Sequence, residues 1–314
     1  MQSATPSATR SSPLVIGTRG SPLALAQAQQ VRDRLAARGI PAEQITLEVI
    51  RTTGDAIRDR PLADAGGKGL FTKEIEEALI AGTIDLAVHS AKDMATILPT
   101  GLRIAAVLER EDARDVFIST KAKTIESLPH GSRVGTASLR RQAMVKRLRP
   151  DITVVPFRGN VETRLKKLAA GEVDATLLAM AGLNRLGLSA AATAPLDIDE
   201  FLPAVGQGVI ALETRASDTA TRARLATIGD DAAATALAAE RAFLAVLEGS
   251  CRTPIAGHAR VSGAQVRFRG LIVKPDGSAS FDTQRSGAAR DAAALGHDAG
   301  RELRARAGAD FFTA

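Results

Sequence analysis

The first two thirds of the chain alternate short apolar runs with helical patterns, which is typical of βα units around a mainly parallel sheet. The series begins twice, before and after residues 109–115, so the sequence predicts two α/β domains joined near 109–113. Strands are predicted at 14–17, 45–50, 84–88, 116–119, 133–135, 152–155 and 175–179. Helices are predicted over 21–37, up to about 80, over 138–148 and over 160–170.

The pattern changes from about residue 230. Residues 202–208 are interpreted as a return crossing into a strand at 209–213 that rejoins the first domain. A helix over 232–247, apolar runs at 255–261, 266–273 and 278–281, and a helix over 288–307 then indicate a small α+β domain. The predicted division is 1–13 disordered, 14–108 with 209–226 as domain 1, 114–202 as domain 2, and 230–314 as domain 3.

The amino-acid composition limits which classes of function the chain can have. Nine of the 41 basic residues are lysine and 32 are arginine, and the formal charge is +6. The arginines reflect either a GC-rich genome or recognition of planar anions, which the guanidinium fork matches. There is no Trp or Tyr, which argues against nucleic-acid binding. No secretory or membrane segment is recognised, so we expect a cytoplasmic protein without membrane contact.

Arginines recur where predicted strands meet predicted helices. Arg19 precedes the first helix, Arg140 and Arg141 lie in the first turn of the helix at 138, and Arg158 and Arg164 flank the start of the next. Helix N-termini bind anions through free N–H groups and the helix dipole. A surface arginine beside a capping residue explains one such junction, but three favour a cleft that binds several carboxylates or phosphates.

Two further residues allow both a structural and a chemical interpretation. Cys251 is the single cysteine, so it is either a small core residue or one covalent attachment point. Asp93 follows a buried strand beside Lys92, and it either caps the next turn or stabilises a developing cation. The histidines at 89, 130, 258 and 297 lack metal-ligand spacing, so we expect no metal site.

Several segments together resemble the porphobilinogen deaminase family. They are Thr18-Arg19-Gly20-Ser21-Pro22, Gly66-Gly67-Lys68-Gly69-Leu70-Phe71, Asp85 to Asp93, Gly135 to Gln142, Arg158-Gly159-Asn160-Val161, Leu202 to Gly208 and Glu248 to Ile255. They occur in family order from about residue 14 onward. Asp64, Ala91 and Met94-Ala95 depart from the family pattern without removing a group that the chemistry needs.

The resemblance implies a fold of two domains like type II periplasmic binding proteins plus a small α+β domain that carries the cysteine. It implies a transferase that condenses four porphobilinogen molecules head to tail, with loss of ammonia, on a dipyrromethane cofactor, and then releases hydroxymethylbilane. The implied partners are porphobilinogen and, for the product, uroporphyrinogen-III synthase, with the enzyme itself a monomer.

The resemblance also implies roles for individual residues. Asp93 would be the catalytic carboxylate, and Cys251 would hold the cofactor through a thioether. The other cofactor-binding residues would be Ser90, Lys92, Ser138, Arg140, Arg141 and Gln207. The substrate-binding residues would be Arg19, Ser21, Lys68, Phe71, Arg158, Arg164 and Arg185. The alternative is a non-enzymatic two-domain protein that binds a polycarboxylate or another anion, which explains the arginines but neither Cys251 nor the third domain.

Overall fold

The computed structural model describes residues 13–56, 69, 71–247, 254–308 and 311. In chain order its strands are β1 Leu14–Thr18, β2 Ile45–Val49, β3 Leu86–Ser90, β4 Leu102–Val107, β5 Asp115–Ser119, β6 Arg133–Gly135, β7 Thr153–Val155, β8 Ala175–Ala179, β9 Ala194–Pro195, β10 Ile210–Arg215, β11 Ile255–Ser262, β12 Gln265–Val273 and β13 Ser280–Ala288. The sequence prediction of disorder at the N-terminus, apart from residue 13, lies outside the described residues.

The helices connect these strands in the expected βα order. They are α1 Pro22–Ala37, α2 Thr53–Ala56, α3 Lys73–Ala81, α4 Leu139–Leu148, α5 Val161–Ala169, α6 Met180–Arg185, α7 Thr219–Ala226, α8 Asp231–Val246 and α9 Ala292–Ala307. Five of them begin with a polar capping residue whose side chain accepts a hydrogen bond from a backbone N–H in the first turn: Ser21, Ser138, Asn160, Asp218 and Asp230. These caps satisfy N–H groups that the helix itself leaves unpaired.

Two five-stranded sheets of the same topology form the first two thirds of the molecule. Their strand orders are β2-β1-β3-β10-β4 and β7-β6-β8-β5-β9. In each, four strands run in the same direction, and the fourth strand in that order, β10 or β5, is antiparallel to both its neighbours. Strand β10 returns to the first sheet after the chain has formed the second. Two crossings therefore join the sheets, the first at residues 108–114 and the second at residues 196–209. This is the arrangement of type II periplasmic binding proteins, and the expected fold class is confirmed.

The third sheet, β11-β12-β13, is antiparallel and packs on both faces. On one face Phe243 of α8 and Phe268 of β12 meet with ring centroids 5.0 Å apart, and α9 covers α8. A Cβ at Gly296 of α9 would overlap the carbonyl of Ala239, so glycine allows the two helices to approach. On the other face Leu271 shares a core with residues of the second sheet. The third sheet therefore packs against its own helices on one face and against the second sheet on the other.

A buried ion pair ties both crossings to the third sheet. Arg110 donates from Nη1 to Glu240 Oε1 (2.6 Å), from Nη2 to Oε2 (3.1 Å), and from Nε to the carbonyl of Gln207 (2.9 Å). The Glu240 carboxylate is fully buried, and it also accepts from the N–H groups of Gly206 (2.7 Å) and Ala259 (2.8 Å). Four donors thus converge on one carboxylate where helix α8 meets the crossings.

Glu240→Gln is expected to destabilise the protein strongly, because the amide turns an NH₂ group toward donors and leaves Arg110 without its counter-charge. Breaking a buried pair costs about 3–5 kcal/mol. The matched control is Glu77→Gln, since exposed Glu77 lies 3.9 Å from Lys73 in an i,i+4 pair worth at most ~0.5 kcal/mol. Urea unfolding of both variants measures the difference, and equal losses would contradict the assignment.

Candidate active site

A cavity opens at the carboxyl ends of β1 and β3, between the N-termini of α1 and α3. Arg19, Ser21, Phe71, Ser90 and Asp93 contribute to its wall. The sequence names all five as site residues, and the structure brings them together because parallel strands end at one edge of the sheet. Gln27, Thr72 and His89 also line the cavity, although sequence reasoning gave them no role.

Ser21, Arg19 and Asp93 are each held in place at this edge, by a helix cap, a ring contact and a tight turn respectively. Ser21 caps α1 and accepts from the Ala24 N–H at 3.3 Å. The guanidinium of Arg19 stacks 4.1 Å from the centroid of the Phe71 ring, a cation–π contact. Asp93 closes a single 3-10 turn, Ala91–Asp93, directly after β3. A cation and a carboxylate therefore face one cavity from the ends of regular elements.

Gln27 connects the cavity to β3 through its side chain. Its Nε2 donates to Ser90 Oγ at 2.9 Å, and the Ser90 hydroxyl lies 3.3 Å from Gln27 Oε1. Gln27 is buried on the cavity face of α1, two turns after the Ser21 cap. In the sequence, a glutamine within an otherwise apolar helix face is the signal that could have identified Gln27.

A second polar cluster lies where the crossings meet the second sheet. Lys92 Nζ donates to Gln207 Oε1 at 3.3 Å, and Gln207 Nε2 donates to Asp115 Oδ1 at 3.1 Å. Asp115 forms ion pairs with Arg140 (2.7 Å) and Arg141 (2.8 Å). Four residues that the resemblance assigns to the cofactor thus meet around one buried carboxylate, which sequence reasoning did not single out.

The environment of this cluster lowers the pKa of both Asp115 and Lys92, for different reasons. Burial opposes ionisation of Asp115, but Arg140 and Arg141 outweigh it and hold the pKa of Asp115 far below its usual range. Burial lowers the pKa of Lys92 to about 8, an effect that Asp93 opposes and Arg141 reinforces. Three cations therefore surround two acids, and the surplus positive charge favours an added anion.

Arg140 and Arg141 are more deeply engaged by the protein than the sequence suggested. Arg140 Nη1 donates to the carbonyl of Leu202 at 2.9 Å, and Arg141 Nη1 donates to that of Leu177 at 3.0 Å. Both side chains are buried, and Ser138 accepts from the Arg141 N–H at 3.4 Å as the cap of α4. In this conformation Arg140 links α4 to the second crossing, and Arg141 links α4 to strands β5 and β8 of the second sheet.

Two further arginines are half-buried, each with a buried Nε, and neither has a carboxylate at hydrogen-bond distance among the described residues. Arg164 Nη2 donates to Thr176 Oγ1 and the Leu177 carbonyl, and Arg185 Nη2 donates to the Gly208 carbonyl. Burial lowers the pKa of Arg164 to about 9, with a contribution from the charge of Arg141. Burial likewise lowers the pKa of Arg185 to about 10. A bound anion would relieve both penalties.

The remaining predicted site residues are placed differently. Arg158 is half-buried beside the start of α5 and has contacts within the protein. Arg185 lies outside the Asp93 cavity, in a groove with Arg34 and the polar face of α1. Lys68 and Cys251 lie outside the described residues. The described part of the chain contains no cluster of three His, Asp or Glu residues that could hold a metal ion.

The described helices include none that is both long and apolar enough to cross a bilayer.

The two sheets with their crossings and the cation-rich cleft define a two-domain α/β clamp suited to an acidic ligand. Comparisons with known proteins then give the family. Residues 14–223 match the model of the porphobilinogen deaminase dipyrromethane cofactor binding domain, and residues 234–305 match that of the porphobilinogen deaminase C-terminal domain. The chain belongs to the porphobilinogen deaminase family.

Curated porphobilinogen deaminases match this chain over nearly its whole length. The porphobilinogen deaminase of Nitrobacter hamburgensis is 65% identical over 299 residues, which are 95% of each chain. That of Paracoccus denitrificans is 56% identical over 301 residues, or 96% of each chain. A solved periplasmic substrate-binding protein of an ABC transporter from Coxiella burnetii shares 12% identity with a TM-score of 0.42, covering 73% of this chain and 96% of that one. The family and cofactor expected from the resemblance are confirmed.

Proposed function

We propose that this chain is a transferase of tetrapyrrole synthesis that condenses four porphobilinogen molecules head to tail, with loss of ammonia, and releases hydroxymethylbilane. The observation that carries the proposal is the cavity in which the Asp93 carboxylate and the Arg19 guanidinium face each other, in a chain of this family. Porphobilinogen carries two carboxylates and a departing amine, so its reaction needs fixed cations for the acid groups and a negative charge near the carbon that becomes electron-poor.

The cleft fits an acidic cofactor. Arg140, Arg164 and Arg185 each have a buried Nε without a hydrogen-bond partner, and such an atom is costly unless a ligand satisfies it. Lys92, Ser138, Arg140, Arg141, Ser90 and Gln207 would hold the carboxylates and pyrrole groups of the dipyrromethane, with Cys251 as its thioether anchor. When bound, the cofactor would supply the nucleophilic carbon to which the first unit is added.

The other predicted residues would handle the incoming molecule. Arg19, Ser21, Lys68, Arg158, Arg164 and Arg185 would bind acetate and propionate groups, and Phe71 would pack against the ring. Asp93 would stabilise the positive charge that develops when ammonia leaves, because its carboxylate faces the cavity from a rigid turn.

The chain grows while it remains attached, so the cleft has to accommodate different lengths. We propose that domain 1 (14–108 with 209–226), domain 2 (114–202) and domain 3 (230–314) move relative to one another through the two crossings as units are added. The buried Glu240 would keep domain 3 fixed to the crossings during this motion. We also propose a cytoplasmic monomer that passes its product to uroporphyrinogen-III synthase; the support for this part is the family alone.

The direct test is the stoichiometry of the reaction. Purified enzyme incubated with porphobilinogen should release four equivalents of ammonia for each hydroxymethylbilane formed. A non-enzymatic binding protein predicts saturable binding of porphobilinogen in a calorimeter without ammonia release. That result would overturn the proposed function.

Arg164→Leu should lower kcat/KM for porphobilinogen by roughly 10- to 150-fold. A hydrogen bond to a charged group is worth about 1.5–3 kcal/mol, and the Arg164 guanidinium is buried with its Nε unpartnered. The control is Arg301→Leu, because Arg301 is exposed on α9 and pairs with Asp298 at 3.6 Å. Steady-state kinetics on variants with verified cofactor content decide. Equal losses at both positions would mean that net charge, rather than a site, matters.

A further inference from the structure

A buried acid–base pair lies behind the Asp93 cavity. His89 Nε2 is 3.1 Å from Glu213 Oε2, and the two side chains are 3% and 0% exposed. The contact follows from the sheet register, since Ala211 of β10 lies opposite His89 of β3, and Glu213 is its diagonal neighbour on the same face. His89 also contributes to the cavity wall. The pair therefore connects the cavity to the interior of the first sheet.

A second carboxyl group accompanies the pair. Burial raises the pKa of Glu76 on α3, and the charge of Glu213 raises it further, although a hydrogen bond from the cavity residue Thr72 opposes the shift. Oε1 of Glu76 and Oε1 of Glu213 are both buried without a hydrogen-bond partner. A buried polar atom without a partner destabilises the folded state. Such a cluster is more typical of a site where chemistry takes place than of a group that stabilises the fold.

The contact with Glu213 determines which nitrogen of His89 is available. A carboxylate accepts a hydrogen bond, so Nε2 carries the proton in the neutral ring, and Nδ1 is left with a lone pair that can accept one. Since Nε2 is directed to Glu213, Nδ1 is the nitrogen left to serve the cavity. A carboxylate plays the same orienting part for the histidine of serine hydrolases.

We propose that His89 is the proton acceptor of the condensation, with Glu213 as its positioning residue; this inference rests on the proposed function. After ammonia leaves with the electron pair of the C–N bond, a pyrrole α-carbon forms the new C–C bond and then loses its proton. The electron pair of that C–H bond returns to the ring, and the proton passes to His89 Nδ1. Glu213 stabilises the imidazolium until the proton leaves with the released ammonia as ammonium.

The charges around His89 fit this role. Glu213 on β10 and Glu76 on α3 face it from the interior, and Asp93 and Arg19 lie across the cavity. Arg241 on α8 interacts electrostatically with Glu213, while its Nη2 donates to the carbonyls of Ala95 and Thr96. Glu213 is the carboxylate in direct contact with the ring, at 3.1 Å from Nε2.

The test compares Glu213→Gln with wild-type holoenzyme, after mass spectrometry has confirmed the cofactor in each. In ¹⁵N-histidine NMR, with His89 assigned through His89→Gln, the neutral wild-type ring should carry its proton on Nε2. In Glu213→Gln the amide can donate as well as accept, so a fraction of the neutral rings should carry the proton on Nδ1 instead. The single-turnover rate should fall with that fraction, and His89→Gln should be slower by about 10²-fold.

Glu48→Gln is the matched control, because Glu48 is exposed on β2 and should leave both measurements unchanged. A proton on Nδ1 in the wild type, or a proton position and a single-turnover rate that do not change in Glu213→Gln, would overturn the inference while wild-type condensation remained normal. Wild-type holoenzyme that releases no ammonia would overturn the proposed function, and the inference with it.

Discussion

Asp93→Asn is expected to slow each condensation by about 10²-fold or more, with little change in the binding of porphobilinogen. The amide keeps the size and hydrogen-bonding reach of the side chain but removes the negative charge that faces the electron-poor carbon. Removal of one preorganised electrostatic group of this kind costs about 10²–10³-fold in rate. The loss appears in the rate constant rather than in KM, because the charge that Asp93 stabilises develops only as ammonia leaves.

Asp93→Glu provides the control for this result. It restores the charge with displaced geometry, so it should retain more activity than Asp93→Asn. Single-turnover addition of porphobilinogen to holoenzyme measures both variants, once the cofactor is verified in each. An Asn variant with nearly wild-type turnover would leave Asp93 as a loop residue that caps the next turn.

Cys251→Ala is expected to abolish activity, because the growing chain would have no covalent anchor. Cys251 is the single cysteine of the chain, so no second thiol can replace it. The purified variant should give no Ehrlich-type colour reaction for bound pyrroles. Its urea unfolding midpoint should stay near the wild-type value apart from any stability contributed by the cofactor. Retained pyrrole or retained turnover would refute the role of Cys251.

The strongly patterned elements could be predicted from sequence, since their hydrophobic periodicity coincides with local capping signals. Helix α1 begins after Ser21 at Pro22, where the sequence placed it. Strand β13 instead extends to Ala288, beyond the expected apolar run, and α9 begins only at Ala292. The backbone of β13 pairs with β12 along its full length, which offsets its polar composition. Strand β4 gave no recognised signal and was missed.

Only part of the candidate site could be predicted from sequence, because its residues are brought together in two different ways. Arg19, Ser21 and Asp93 sit at strand–helix junctions, and the rule that such ends meet at one edge was enough to group them. The engagement of Arg140 and Arg141 with Asp115 depends on residues about 25 positions away along the chain. The pair of His89 and Glu213 spans 124 positions. Only the strand register brings such partners together.

Intact mass spectrometry tests the central claim most directly. The protein as isolated should exceed its sequence mass by two linked pyrroles. After brief exposure to porphobilinogen, it should show a ladder of further masses, each higher by one porphobilinogen unit less ammonia. Growth on a protein-bound primer accounts for this ladder. An unmodified mass in protein that converts porphobilinogen to hydroxymethylbilane would contradict it.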